Sequence, residues 1–301
     1  MTRTARLILT AAALLWTART CSAIPRPSPN DIGSLFKRAN VQFQDCGDEN
    51  DAKRIKAGRA WSEAANLAEF TIDGSLDDKT KFQGTNAYKH YFEDADSTQV
   101  NAMFGSIQAG SSGDSGNAFQ LNFIISCKET DACKDALAVT DSAPATSSFT
   151  PIIRLCPLFF TDDRTKSFLD SKSTKRDPGR RDNSWCQPNQ PFSFFETAGH
   201  TFLHEMTHLD QLGVAAGLSE RDTNDPNIKS HGTDDIYAIA KGYDPTSPER
   251  SARKLKDNWT KYNVDHKNKP ELERVENAEG YAASATEFWF QSKCGFTDIL
   301  P

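Results

Sequence analysis

The segment Thr201-Phe202-Leu203-His204-Glu205-Met206-Thr207-His208-Leu209 places two histidines four residues apart. On a helix that interval puts both rings on one face, one turn apart, where two imidazole nitrogens can hold one Zn²⁺. Glu205 stands between them, where a carboxylate can take a proton from a metal-bound water. Leu203, Met206, Leu209 and Leu212 form an apolar stripe that would bury such a helix, and Gly213 is expected to end it. The bland alternative is a pair of packed or solvated histidines beside an ordinary helix-face glutamate. By residue frequency His-Glu-x-x-His arises in roughly one chain of this length in a hundred or fewer. A surface helix would also lack such large apolar flanks, so a zinc site is the expected reading.

The chain has 301 residues, a net charge of −6 and 37% hydrophobic residues, enough to bury a sizeable core. The acidic balance, with no basic stripe carrying interleaved aromatics, argues against nucleic acid as a partner. Arg3 and Arg6 precede an apolar block at residues 7–16, and Cys21-Ser22-Ala23 supplies small residues suited to cleavage. Residues 1–23 therefore read as a secretory signal peptide, too short and wrongly flanked for a membrane span. A secreted, extracellular protein without a membrane segment is expected, and a monomer. Removing Cys21 leaves Cys46, Cys127, Cys133, Cys156, Cys186 and Cys294, an even set with no Cys-x-x-Cys pair, so structural bridges in an oxidising compartment are expected.

Residues 24–45 carry three prolines and little periodicity and read as a linker or short propeptide, with Lys37-Arg38 as a possible processing site. Helical spacing follows at 51–70 (Ile55, Trp61, Ala65, Ala68), 78–94 (Phe82, Tyr88, Tyr91, Phe92) and 98–107 (Val100, Met103, Phe104, Ile107). Such aromatic stripes are read as core. The glycine- and serine-rich stretch 110–116 is a surface loop and lacks the pattern of a phosphate cradle. Residues 119–126 and 151–160 read as strands. Residues 161–190 form a long polar loop tied down at Cys186, and 218–230 another. A helix over 244–265 starts at Ser247-Pro248 and turns Ala252, Leu255, Trp259 and Tyr262 inward. Asn258-Trp259-Thr260 is a glycosylation sequon. A last helix over 271–291 carries Val275, Ala278, Tyr281, Ala282, Ala285, Phe288 and Trp289. The expected fold class is α+β, predominantly helical, with a small β-sheet beside the zinc-binding helix, in one domain over 46–301.

A catalytic zinc takes three protein ligands and keeps a fourth position for water. Downstream candidates for the third ligand are His231, Asp234, Asp235, Glu276 and Glu279. His200 lies a turn before His204, but three ligands on successive turns of one straight helix cannot converge on a tetrahedral ion, so it reads as a packing or supporting residue.

His231-Gly232-Thr233-Asp234-Asp235-Ile236-Tyr237-Ala238 resembles the Gly-Thr-x-Asp-x-x-Tyr-Gly signature of the deuterolysin, or aspzincin, metalloendopeptidases, which include lysine-specific relatives. The resemblance implies a zincin-like metalloprotease domain with one catalytic Zn²⁺ on His204, His208 and Asp235. It implies Glu205 as general base and Tyr237 as donor to the developing oxyanion. Counted from Gly232 the aspartate is Asp235, but the tyrosine would fall on Ala238; counted back from Tyr237 it is Asp234. Asp235 is favoured because the Gly-Thr turn sets the ligand's approach. The resemblance further implies disulfides in sequence order: Cys46 with Cys127, Cys133 with Cys156, Cys186 with Cys294.

The function expected is a secreted zinc-dependent endopeptidase acting on protein or peptide substrates. Its main rival is a non-catalytic zinc-binding or cell-surface protein on the same scaffold. A variant with Glu276 or Glu279 as the third ligand keeps the reaction and changes one residue.

Overall fold

The computed structural model describes residues 40–74, 80–112, 120–142, 149–175, 183–222 and 229–301. The expected signal peptide, most of the expected linker with Lys37-Arg38, residues 113–116 of the glycine-rich loop and Pro178-Gly179 lie outside the described residues. Within them the protein is α+β and predominantly helical, with a small mixed sheet.

Helix α1 (Ala52–Asp73) starts where the Asp51 side chain accepts the Lys53 N–H at 2.8 Å. It buries Ala57, Trp61, Ala64, Leu67 and Ala68, whereas Ile55 lies off that face and is exposed. Helix α2 (Ser97–Ser112) packs against it with Val100, Met103, Phe104 and Ile107 fully buried.

The sheet comprises β1 (Asn40–Gln44), β2 (Asn122–Ser126), β3 (Ala138–Asp141) and β4 (Ile152–Leu155), in the order β1-β2-β4-β3. β1 and β4 run parallel to β2, and β3 closes one edge antiparallel to β4. The register sets Phe43 opposite Ile125 and Ile125 opposite Ile153. Because alternate residues face one side, Phe123, Ile125, Ile153 and Leu155 enter the core, where Phe123 meets Trp61 edge-on at 6.1 Å.

Helix α3 (Ala198–Thr207), which carries the His-Glu-x-x-His motif, is buried along all ten of its residues. It runs between α1, β3 and the last helix, α6 (Ala278–Cys294). Full burial of Phe202, Leu203 and Met206, at roughly 1.5–3 kcal/mol each, anchors it.

Disulfides join Cys46 to Cys127, Cys133 to Cys156 and Cys186 to Cys294, the pairing the resemblance implied. They fit an oxidising compartment. No described helix is long and apolar enough to cross a membrane.

Several elements depart from the sequence reading. Residues 40–44, expected within the linker, form β1 and pair with β2. The expected helix over 78–94 is broken into a 3-10 turn (Phe82–Gly84), one helical turn (Asn86–Lys89) and a second 3-10 turn (Asp94–Asp96). Thr85 caps the middle piece through its hydroxyl, and Glu93 and Asp96 form a capping box, so polar side chains restart the chain twice. The strand expected over 151–160 stops at Leu155, since Cys156-Pro157 turns into a 3-10 segment. β3 lies in a stretch to which the sequence reading assigned no element, and a short ladder of Arg221–Asp222 with Lys229–Ser230 occupies one read as loop.

The helix carrying the His-Glu-x-x-His motif does not run to Gly213. It stops at His208, Leu209 is extended, and α4 (Asp210–Ala216) begins anew. Gly213 sits inside α4 because a Cβ there would lie 1.8 Å from the His231 carbonyl oxygen. The stop falls at Gly217, with φ +70°. The next helix, α5 (Pro248–Asp265), begins at Ser247-Pro248 as expected and buries Ala252, Leu255 and Trp259. The final helix starts at Ala278, later than residue 271, after a 3-10 turn at Arg274–Glu276.

Candidate metal centre

Thr197 caps the start of α3, its hydroxyl accepting the His200 N–H at 3.2 Å. One turn apart near the other end, His204 and His208 turn their rings to the same side, with centroids 5.0 Å apart. The segment carrying Gly232 folds back onto this end. A Cβ on Gly232 would lie 1.9 Å from the His208 carbonyl oxygen, so only glycine permits the approach. Thr233 N–H then donates to the Thr207 carbonyl at 3.0 Å, and the two threonine hydroxyls bond at 2.8 Å. On the far side Asp234 N–H donates to the Glu276 carbonyl at 2.8 Å, and Ala278 N–H to the Asp234 carbonyl at 3.0 Å. The turn is thus pinned between the end of α3 and the start of α6.

That pinning separates the two aspartates. Asp234 points to Arg221 Nη2 at 3.2 Å and is partly exposed. Asp235 points at the histidines, with Oδ1 2.9 Å from His204 Nε2 and 3.9 Å from His208 Nε2. Those separations bracket the roughly 3.3–3.5 Å between neighbouring donors on a tetrahedral zinc with bonds of about 2.0–2.1 Å. His204, His208 and Asp235 offer ligand atoms that all lie within 4.8 Å of one another.

The outward nitrogens decide what those donors can hold. His208 Nδ1 lies 2.7 Å from the Thr233 carbonyl, which only accepts, so Nδ1 carries the proton and Nε2 a lone pair. His204 Nδ1 lies 3.0 Å from Glu279 Oε2. Burial works against the Glu279 charge, but His200 and His204 outweigh it and bring the carboxyl down to about 2, so His204 Nδ1 is also the donor. With no metal bound, Asp235 and Glu279 overcome burial and raise the His204 ring well above its ordinary pKa, so its Nε2 holds a proton against Asp235 Oδ1 2.9 Å away, the place a metal ion would take on displacing that proton. Burial opposes the Asp235 charge too, yet His204 and then His208 hold the carboxyl far below its usual range. Three donor atoms closing on one point could hold a cation, and two imidazoles with a carboxylate are a donor set that zinc accepts.

The other candidates lie elsewhere. Glu279 is on the Nδ1 side of His204, and Glu276 Oε2 accepts the Glu273 N–H at 3.1 Å and faces Arg221 at 3.5 Å, so neither joins the three donors. His231 Nδ1 pairs with Asp210 at 3.0 Å. His200 is buried beneath the site, its ring between Thr286 Oγ1 at 3.0 Å and Glu279 Oε1 at 3.4 Å.

Glu205 is buried, and the Thr140 hydroxyl of β3 donates to its Oε2 at 2.8 Å and lies 3.0 Å from its carbonyl oxygen. β3 pairs only with β4 among the described strands, so its other edge has no strand partner there, and Thr140 on it meets Glu205. Tyr237 lies against Asp235 as a hydrogen-bond partner; burial and then the Asp235 charge raise its phenol well above its ordinary value, so it stays a donor. Thr140, Glu279 and Thr233 are contributors the sequence did not disclose in these roles. A lone threonine in a stretch without periodicity carries no signal, and Glu279 looked like one more candidate ligand. Compared with known proteins, the chain matches no family model and no curated protein.

Proposed function

We propose that the protein is a secreted zinc-dependent endopeptidase with a zincin-like domain of the deuterolysin type, acting on protein or peptide substrates without nucleic acid or membrane partners. The observation that carries this reading is the convergence of the His204 and His208 Nε2 atoms and Asp235 Oδ1 on one point beside a buried Glu205. Zinc bound there would supply Lewis acidity and an attacking water with its pKa lowered toward about 7. His204, His208 and Asp235 would hold the ion, with Glu279 and the Thr233 carbonyl fixing the two rings.

Glu205 takes the water's proton and returns it to the leaving amine, while Thr140 keeps its carboxylate aimed. The open edge of β3 offers main-chain hydrogen bonds to an extended peptide, aligning the scissile carbonyl. Tyr237, poised on Asp235, donates to the oxyanion that develops.

The test is zinc content together with cleavage of an unfolded protein, with and without chelator. One zinc per chain and chelator-sensitive cleavage restored by zinc are expected. Glu205→Gln should keep the metal and lose turnover by roughly 10²–10⁴-fold. Zinc binding with no cleavage by the unaltered chain would favour the non-catalytic alternative.

A further inference from the structure

We infer that a cleft between α5 and the Asn86–Lys89 turn binds a compact polyanion with closely spaced sulfate groups, as on a sulfated polysaccharide. The cleft measures about 480 Å³, within the range of small-ligand sites. Lys89, Arg250, Arg253, Lys254, Lys256 and Lys261 line it. Arg250, Arg253, Lys254 and Lys261 recur at three-, four- and seven-residue intervals, which sets them on one face of α5.

The floor of the cleft is already neutralised. Arg253 pairs with Glu287, which also accepts the Tyr91 hydroxyl at 2.5 Å and faces His90 Nδ1 at 2.8 Å. His90 Nε2 lies 3.4 Å from Asp298. The two carboxylates thus face different nitrogens of one ring, and one of them is held by an arginine, so this cluster is a structural network and not a metal site.

Above that floor the charges are unbalanced. Lys89, Lys256 and Lys261 make no ion pair among the described residues. Arg250 donates to an oxygen of Pro301, the last residue of the sequence, at 3.1 Å, while Lys254 donates to the Gly242 carbonyl at 2.6 Å and lies over the Tyr243 ring. Asp257 is the one carboxylate side chain of the lining. Four lysines without a carboxylate partner among the described residues, Lys89, Lys254, Lys256 and Lys261, therefore share a concave surface, on a chain whose net charge is −6.

A surface shaped for solubility intersperses both signs. Gathering one sign in a cleft focuses the field and concentrates anions there. The lining holds no Phe, Tyr or Trp on which a base could stack, and its one ring, His90, is held between Glu287 and Asp298, which argues against single-stranded nucleic acid. Lysine-dominated lining offers point charges and not the bidentate forks that select single phosphates, and suits several anionic groups spread along a flexible ligand. The three disulfides fit an oxidising compartment of the extracellular type, where sulfate esters on polysaccharides are one source of closely spaced anions.

The experiment is calorimetric titration of the full chain with a heparin hexasaccharide at near-physiological salt, and separately with inorganic tripolyphosphate. Saturable one-site binding of the oligosaccharide is expected, with tripolyphosphate weaker. A variant carrying Lys89→Gln, Lys256→Gln and Lys261→Gln should bind at least about tenfold more weakly and show a shallower salt dependence. A variant with Lys128→Gln, Lys134→Gln and Lys175→Gln, all exposed and outside the cleft, should stay within about twofold of the unaltered chain. The three cleft lysines replaced by arginine should retain binding, which separates charge from folding. Equal losses in both glutamine variants, or no saturable binding, would overturn the site. Tighter binding of tripolyphosphate than of the hexasaccharide would overturn the sulfate assignment. The readout is independent of peptide cleavage and of zinc.

Discussion

Glu63 and Gly199 are 136 residues apart in sequence, and the Gly199 N–H donates to Glu63 Oε1 at 3.1 Å. Glu63 Oε2 accepts the Leu169 N–H at 2.5 Å. One carboxyl on α1 therefore grips both the first turn of α3 and the loop before it. A negative group is favoured at a helix start, but this one is fully buried. Burial pushes the carboxyl up to about 7, outweighing hydrogen bonds from Thr197, Leu169 and Gly199.

The sign of the resulting pH dependence follows. Below the ordinary value of 4.5 the group is protonated in both folded and unfolded chains. Between there and about 7 the unfolded chain ionises first, so folding stability falls as pH rises, by about 3–4 kcal/mol from this group at most. Glu63→Gln stays neutral throughout. Thermal melting from pH 4.5 to 7.5 should therefore show a shallower decline in the variant than in the unaltered chain. Glu196, also pushed up to about 7 by burial, contributes its own slope to both curves, so the difference isolates Glu63. Parallel curves would refute the assignment.

Such a contact shows why the sequence disclosed the helix but not its surroundings. His204, Glu205 and His208 were legible because their spacing is local and their apolar flanks repeat at the helical period. The break at Leu209 was not: Gly213 stood where a helix stop is expected, and only the close approach of the His231 carbonyl explains it. β3 is four residues long and half exposed, too short for alternation to register. The choice between Asp234 and Asp235 depends on main-chain bonds from Asp234 to Glu276 and Ala278, some forty residues on, which no local pattern encodes.

That choice is directly testable. Asp235→Ala removes a donor from the converging set and should abolish stoichiometric zinc binding. Asp234→Ala breaks a partly exposed pair with Arg221, worth at most about 1 kcal/mol, and should leave the zinc in place. Metal content after dialysis distinguishes the two. Retention by the first variant and loss by the second would reverse the register of the Gly232-Thr233 turn.

Glu279 holds His204 from behind, and its effect should appear in metal affinity. Glu279→Gln can still accept the His204 Nδ1–H bond, but it removes the buried negative charge that makes the ring a stronger donor. Zinc affinity, measured by competition with a chelating dye, should fall about 10–100-fold. An unchanged affinity would mean that the carboxylate serves only to hold α6 against α3.

Thr140 ties the sheet edge to Glu205 and gives the last prediction. Thr140→Val keeps the β-branched shape that suits β3 and deletes only the hydroxyl. Glu205 Oε2 then loses a donor at 2.8 Å and gains rotational freedom, while His204, His208 and Asp235 are untouched. A hydrogen bond to a charged group is worth roughly 1.5–3 kcal/mol, so kcat should fall about tenfold or more with KM and zinc content close to those of the unaltered chain. A matching loss of zinc would mean that Thr140 holds the end of α3 through the Glu205 carbonyl, and that the aim of the general base is set by other contacts.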